Sequence, residues 1–504
     1  MRWRIALLAV LCLTRLSSGW TAPPSSPVGV EARIETLEAQ NRELQQTLDN
    51  LLRRLGTSPE GTIREAPLRP SPEQLGRPIT LTRDVVQTDG EPLSRARVDL
   101  EQGIRLLSPD GRFRIELHNL TQAEGRFFSP TGDPLSNNFN IPRQRLFFSG
   151  IVDEDFEFYS SFQRGYGAFD LFDAFVNLHF SQELNFRCGR MKTPYTYEYY
   201  KTAEGDLMAP ERSLFVGNLS PNRQIGLMVL GRLFADRLEY AVGLFNGPQR
   251  SFQDFNNYKN PFLYFNARPF LHGSSDLIRY LNFGLSANYG RQDDLLEPNA
   301  LRTSNDETIN PAVALVSPAF LQYNEAATIF GEKAFWAADL NWFYRGLTLQ
   351  LQYNGGFITY RLPQDRSPAN SAGSGLLQRV PYTGGSAAVS FFVTGEDRVT
   401  RKEVIPLRPF KVGHPVQNPG AIELFSRVAY LEAGPEVFAN GLADPRKWSR
   451  NSLTLDNGVH WYPNRYVKIT FAWQHSEFGS PVRISPTRRT DSIDLFWLRT
   501  QLYY

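Results

Sequence analysis

From about residue 100 onward, apolar and polar residues alternate along the chain. The segment LTLQLQYN at 347–354 places three leucines and a tyrosine on one face and four hydroxyl or amide side chains on the other. LNFGLSANY at 281–289 and VKITFAWQH at 467–475 repeat this pattern. Because successive side chains of a strand point to opposite faces, the alternation predicts a sheet with one apolar and one polar face.

Candidate strands number sixteen and start near residues 112, 143, 155, 171, 183, 223, 237, 262, 280, 333, 346, 383, 421, 452, 466 and 493. Several are about ten residues long, which is the length that crosses a bilayer when the strand is tilted. Connections such as 153–155 and 344–346 are tight, whereas those near 191–222, 290–332 and 358–382 are long. Short turns at one end and long loops at the other are typical of outer-membrane barrels.

The residues before the barrel divide into three predicted segments. Residues 1–22 have two arginines, a short apolar stretch and then small residues, as a secretory signal peptide does. Over 28–56, apolar residues follow the heptad spacing of a coiled coil, with Asn41 at an a position, and self-association is favoured over a single packed helix. Prolines recur over 57–100, which predicts an extended linker, and the barrel domain is assigned to 101–504.

These features together predict an all-β protein, a transmembrane antiparallel β-barrel of about 16 strands. A soluble β-sandwich is the alternative, since its strands alternate too. It would not require an export signal, strands of bilayer length and an aromatic last residue together. We therefore expect the barrel to lie in the bacterial outer membrane, in contact with its lipid, and the stalk to lie in the periplasm.

The last strand has apolar residues at every second position and ends in an aromatic residue. Phe496, Leu498, Leu502 and Tyr504 share one face of DSIDLFWLRTQLYY. This ending resembles the signal that the barrel-assembly machinery of the outer membrane reads, although the usual last residue is Phe. The resemblance implies that these four side chains face lipid and that the machinery is a partner.

Composition narrows the function further. The 54 basic and 52 acidic residues nearly cancel, so no bulk attraction for nucleic acid is expected. Once the signal peptide is removed, Cys188 is the single cysteine, which leaves no intramolecular disulfide framework. The six histidines form no metal-binding motif, and no nucleotide-binding or catalytic motif stands out, so neither a cofactor nor an enzymatic activity is expected.

Several segments resemble the phosphate-selective porins of the O and P type, in the right order and spacing. They are SPDGRFRIELHNLTQ, FFSGIVDEDFEFYSSFQRG, LFDAFVNLHF, LNFRCGRMKTPYTYE, VGLFNG, FFVTGEDR, GAIELFSRVAYLE and GVHWYPNRYVKITFAWQHSEF. The resemblance covers about 102 to 504 and implies a trimeric, sixteen-stranded porin with loops folded into the lumen. A coiled coil is not part of the family's best-known members.

A polar inner face implies a water-filled channel, so the predicted function is passive diffusion of small hydrophilic solutes, with a mild preference for anions. Local chemistry suggests eight pore-lining or anion-binding residues: Arg143, Arg145, Arg187, Arg190, Lys192, Arg398, Arg401 and Lys402. Alternation places Arg143, Arg145 and Arg187 inward, and Arg190 on the other parity, at the rim or in the loop. Specific uptake of phosphate or polyphosphate, and tethering of the envelope through the stalk, are the alternatives.

Overall fold

The computed structural model describes residues 97–99 and 104–504, with gaps at 109, 111, 130, 132–134, 154, 167, 250–253, 255, 306–315, 364–374 and 486. The predicted signal peptide, the predicted coiled coil and the linker as far as residue 96 lie outside the described residues. Among the described residues, no helix is long and apolar enough to cross a membrane.

The described chain consists mainly of β-strands. The strands are β1 Arg97–Asp99, β2 Ile104–Leu107, β3 Phe113–Ser129, β4 Asn138–Val152, β5 Phe156–Gly165, β6 Ala168–His179, β7 Asn185–Lys192, β8 Arg223–Leu233, β9 Leu238–Phe245, β10 Asn260–Ala267, β11 Tyr280–Leu296, β12 Leu301–Arg302, β13 Ala319–Leu321, β14 Thr328–Tyr344, β15 Leu347–Pro363, β16 Gly375–Phe392, β17 Ala421–Ala433, β18 Asn451–Tyr462, β19 Val467–Ser485 and β20 Arg488–Tyr503. Two α-helices, α1 Leu214–Leu219 and α2 Glu436–Ala439, and two single helical turns, Thr196–Lys201 and Glu204–Asp206, lie in the loops.

Strands β3–β11 and β14–β20 form a closed antiparallel barrel of 16 strands. Each strand pairs with its neighbour in sequence, and β20 closes the barrel by pairing with β3, from Asp494 opposite Ser129 to Tyr503 opposite Leu120. The predicted barrel is confirmed, and the sixteen predicted strands correspond one to one with those observed. Because the barrel is closed, every barrel strand has a paired neighbour on both sides. A membrane-spanning sheet requires this closure, since the bilayer core offers no water to unpaired backbone groups.

A short hairpin precedes the barrel. Strand β2 pairs with β3 at positions that β20 does not reach, from Ile104 opposite Leu117 to Leu107 opposite Arg114. Strand β1 pairs with β2 in turn. Since β1 begins at Arg97, ordered structure starts within the segment that the sequence assigned to the linker.

The two faces of the barrel wall have opposite character. In β15, Thr348 is 0% exposed and Tyr353 is 51% exposed, so the amide and hydroxyl positions point inward and the apolar positions outward. In β20, Phe496 is 48% exposed, whereas Arg499 is 3% exposed. Leu498, Leu502 and Tyr504 lie on the same outward face as Phe496. The outward apolar face is the one that meets lipid.

We call the end of the barrel that carries the connections 153–155, 234–237, 345–346 and 463–466 the turn end, and the opposite end the loop end. Tyr504 also lies at the turn end, since it exchanges backbone hydrogen bonds with Asn119. In outer-membrane barrels short turns face the periplasm. One connection at the turn end, residues 393–420, is long.

The interior is polar only in part. Toward the loop end, inward side chains of β14–β17, β19 and β20 pack with α1, with the small sheet of β12 and β13, and with the loop that carries α2. The members of this apolar core include Phe215, Leu219, Leu301, Phe320, Leu321, Phe335, Ile358, Tyr360, Val380, Tyr382, Val437, Val482 and Trp497. The polar, water-facing inner wall that the alternation predicts is therefore confined to the rest of the interior.

The outward face of the barrel makes a prediction for Leu285 of β11, which is exposed on the lipid side. We expect Leu285→Arg to lower the free energy of unfolding in lipid vesicles by about 2–4 kcal/mol, because the charge enters the apolar part of the bilayer. Phe234→Arg, in the turn between β8 and β9, is the matched control and is expected to cost less than about 1 kcal/mol near the interface. Equal losses would contradict the membrane placement of this face.

Candidate functional site

The connection between β7 and β8 enters the barrel and crosses it. We call residues 193–222 the crossing loop. The Tyr195 hydroxyl donates to the Trp336 carbonyl oxygen in β14 at 3.3 Å, and the Thr196 amide donates to the Ser286 hydroxyl in β11 at 3.1 Å. On the far side of the barrel, Arg427 of β17 donates to the Glu211 carbonyl oxygen at 2.8 Å. The loop thus crosses the interior and narrows the lumen.

Two buried glutamates fix the crossing loop to the wall. Glu211 accepts from Arg143 of β4 and Arg499 of β20, with N–O distances of 2.6 Å each. Arg126 of β3 is 3.9 Å away. Burial alone would raise the pKa of Glu211, but the charges of Arg143, Arg499 and Arg126 outweigh burial and lower the pKa to about 2.

Glu204 is the second anchor of the loop. Its carboxylate lies 2.7 Å from Arg145 of β4, 3.0 Å from Lys192 of β7 and 3.5 Å from Arg223 of β8. Arg212 of the same loop adds a contact of 3.1 Å. Burial opposes ionisation, but these four cations together hold the pKa of Glu204 well below its usual range.

The long connection at the turn end also folds into the barrel. We call residues 393–420 the turn-end segment. Its Arg398 and Arg401 bind Glu423 of β17 at 3.1 and 2.8 Å, and the Arg401 Nε donates to the Asp206 carbonyl oxygen at 2.8 Å. Asp206 belongs to the crossing loop. The two inward segments therefore touch inside the barrel, one from each end.

Below the crossing loop, toward the turn end, lies a cavity of about 190 Å³. Its basic lining residues are Arg105, Arg145, Arg187, Lys192, Arg223, Lys402, Arg465 and Lys468. Its acidic lining residues are Glu116, Glu157, Asp173, Glu204, Asp206 and Glu403. Inward aromatic residues of β4, β5, β6 and β20 complete it: Phe147, Tyr159, Phe175 and Tyr503.

The eight candidate residues of the sequence occupy different places. Arg145, Arg187, Lys192 and Lys402 line the cavity. Arg143 binds Glu211, and Arg398 and Arg401 bind Glu423, so these three cations hold the inward segments in place. Arg190 is buried near the loop end of β7, where its Nε donates to the carbonyl oxygens of Leu171 and Phe172 at 3.0 Å.

The burial of Arg190 has a local cause. Gly189 has a φ of 133°, and a Cβ there would lie 2.3 Å from the Ala174 carbonyl oxygen. Beyond this glycine the alternation shifts, so that Arg187, Arg190 and Met191 are all buried. The pairing of β5 with β6 is irregular between Ser161 and Phe162, and this brings Phe172 of β6 into the interior beside Asp173.

Sequence reasoning missed three sets of functional residues. The glutamates 204 and 211 were visible in a long loop, but nothing in the sequence says which arginines they meet. The wall cations Arg105, Arg223, Arg465 and Lys468 were not singled out. The inward aromatic residues could have been found, because Phe147 shares its parity with Arg143 and Arg145.

Comparison with known proteins identifies the family of this barrel. A sequence profile of the family described as Phosphate-selective porin O and P matches residues 125–504. The chain belongs to this family. It is an outer-membrane porin, and its function is passive diffusion of small hydrophilic solutes through the barrel. The comparison with curated proteins gives no match.

Several solved structures resemble the porin at low sequence identity. OmpT, an outer membrane protein of Vibrio cholerae in its trimer form, is 10% identical with a TM-score of 0.45, covering 78% of this chain and 99% of its own. An anion-selective porin from Comamonas acidovorans is 8% identical with a TM-score of 0.44, covering 78% and 100%. The outer membrane channel DcaP of Acinetobacter baumannii is 7% identical with a TM-score of 0.45, covering 80% and 100%.

The anchoring of the crossing loop makes a prediction for Glu211→Gln. Removing the charge leaves buried arginines uncompensated, which costs about 3–5 kcal/mol for a buried pair. We expect single-channel recordings to show a larger and noisier conductance, because the loop no longer stays docked. Glu432→Gln is the control, since Glu432 pairs with Arg450 at 3.2 Å where both side chains are about a third exposed, away from the cavity. An unchanged conductance in Glu211→Gln would contradict the anchoring role.

The low pKa of Glu211 makes a second prediction. Because its pKa is lower in the folded porin than its usual 4.5, its contribution to docking is complete above that pH and is lost as the pH falls toward 2. We expect the conductance of the native porin to become larger and noisier as the pH falls toward 2. In Glu211→Gln the conductance should already be high at neutral pH. A rise in conductance near pH 2 that is equally large in Glu211→Gln would contradict the assignment to Glu211.

Proposed function

We propose that the porin passes small hydrophilic solutes with a mild preference for anions, and that it does no chemistry on them. The observation that carries this proposal is the charge of the cavity below the crossing loop. Eight basic and six acidic side chains line it. A small surplus of positive charge in a narrow water-filled passage raises the local concentration of anions over cations.

The surplus is small because most of the cations have acidic partners. Glu204 alone meets Arg145, Lys192 and Arg223. A pore of this kind favours anions without binding any one of them strongly. Homotrimeric assembly is part of the proposal, because it is what membership of the family implies.

Specific uptake of phosphate remains the second candidate from the sequence. It would require several guanidinium groups to be directed at one passing anion. Arg143, Arg398 and Arg401 instead bind carboxylates of the protein itself. This engagement supports general diffusion over a dedicated phosphate site. The envelope tether remains a prediction from the sequence.

The reversal potential of the purified porin in a KCl gradient tests the proposal. We expect chloride to be weakly favoured in the native porin. Arg465→Glu should abolish this preference, because it leaves equal numbers of basic and acidic residues around the cavity. Arg446→Glu, on an exposed side chain of the loop at 434–450, is the matched control and should leave the reversal potential unchanged. A native preference for cations would refute the proposal, and block at micromolar phosphate would favour the phosphate channel instead.

A further inference from the structure

Arg187 differs from the other cavity cations in its lack of a hydrogen-bond acceptor or ion-pair partner among the described residues. Its side chain points inward from β7 and is 5% exposed. Among the described residues, its Nε has no acceptor and its guanidinium makes no ion pair. Glu157 and Asp173 are the carboxylates whose charges act on it, but neither comes within 4.0 Å, and Glu157 accepts from Asn177.

A buried guanidinium nitrogen without an acceptor costs free energy unless water or a solute supplies the missing hydrogen bond. Arg187 lines the cavity, so an acceptor that enters the cavity can reach it. The geometry of a guanidinium suits a planar carboxylate, which it binds with two parallel hydrogen bonds. The side chain is thus arranged for an anion that the protein itself does not supply.

The surroundings of Arg187 are aromatic. Its guanidinium carbon lies 4.2 Å from the ring centroid of Phe175. Tyr159 stacks on Phe175 with centroids 5.3 Å apart, and Phe147 follows at 6.3 Å from Tyr159. Tyr503 extends the row, 6.4 Å from Phe147. We call Phe147, Tyr159, Phe175 and Tyr503 the aromatic strip.

The aromatic strip lies on the face of the wall that is otherwise polar. Strand β20 and, beyond β3, strands β4–β6 contribute one ring each, and all four rings border the cavity. Apolar surface beside water is unfavourable, at about 25 cal/mol per Å². A solute that covers the rings gains this free energy, whereas chloride or inorganic phosphate leaves them in contact with water.

The cavity is large enough for such a solute. Its volume is about 190 Å³. In other proteins an apolar cavity of about 150 Å³ is enough to bind benzene. The cavity as a whole therefore has room for one six-membered ring with a carboxylate.

We propose that the cavity is a binding site for aromatic carboxylates on their way through the pore, with the carboxylate on Arg187 and the ring against Tyr159 and Phe175. The proposal rests on the anion preference proposed above and adds the class of solute. A cation, apolar rings and open space lie side by side in this cavity. A planar organic anion needs all three.

Block of the chloride current by benzoate and by acetate tests this site in planar bilayers. The two anions share the carboxylate, and only benzoate has the ring. We expect benzoate to block at a concentration about tenfold lower than acetate, as a ring contact of about 1.4 kcal/mol gives. Tyr159→Ser should bring the benzoate value close to that of acetate. Tyr353→Ser, on the lipid face of β15, is the matched control and should leave the benzoate block unchanged.

Arg187→Gln separates the anion contact from the ring contact. We expect it to weaken block by benzoate about tenfold or more, as loss of a charged hydrogen-bond partner does. The chloride conductance of each variant in the absence of benzoate reports that the barrel is folded and open. If Arg187→Gln gives no conductance, Arg187→Lys is used in its place. Lysine keeps the positive charge but lacks the two parallel hydrogen-bond donors of the guanidinium, so it should also weaken benzoate block.

The outcomes distinguish this site from the proposed function. Equal block by benzoate and acetate, with chloride still favoured, would overturn the aromatic site and leave the anion preference intact. Benzoate block that survives Arg187→Gln would overturn the placement on Arg187. Phosphate block stronger than benzoate block would overturn the solute class. A preference for cations in the reversal potential would refute the proposed function, and the site would fall with it.

Discussion

The interior of this barrel depends on the requirement that a buried charge be paired. Glu204 and Glu211 come from one loop, and the arginines that meet them come from β4 and from the closing strand β20. Removing either partner of such a pair leaves an uncompensated charge, so the glutamates have one low-energy location each. The crossing loop lies where the wall arginines are. The position of the crossing loop then divides the lumen into two regions.

Above the loop, toward the loop end, the barrel is filled by an apolar core, and below it lies the polar cavity. The two regions are stabilised differently. Burial of apolar surface holds α1, β12 and β13 in place, whereas ion pairs and backbone acceptors hold the crossing loop and the turn-end segment. Apolar packing leaves few voids, so we expect solutes to pass on the cavity side. Charged and hydrogen-bonding side chains shape the passage there.

The sequence predicted the wall better than the interior. Strand period, strand number and the inward parity of Arg143 and Arg145 followed from alternation alone, which depends on neighbours in sequence. Arg190 did not follow, because Gly189 shifts the alternation. The apolar core left a signal in β15, whose inward positions change from Thr348 to Tyr360 along one face. The ion pairs left none, since Arg499 and Glu211 are far apart in the sequence and meet only in the fold.

A pore whose cations are mostly paired has a different selectivity from one whose cations are free. Where Glu204 meets three wall cations, the cluster keeps a net positive charge, but each of these cations already faces a carboxylate, so a passing ion has little to bind. Arg187 makes no ion pair among the described residues, and its guanidinium lies beside Phe175. The paired clusters therefore make the passage wet and weakly selective, and under the proposal above discrimination among anions falls to Arg187, which has an apolar neighbour in place of a carboxylate.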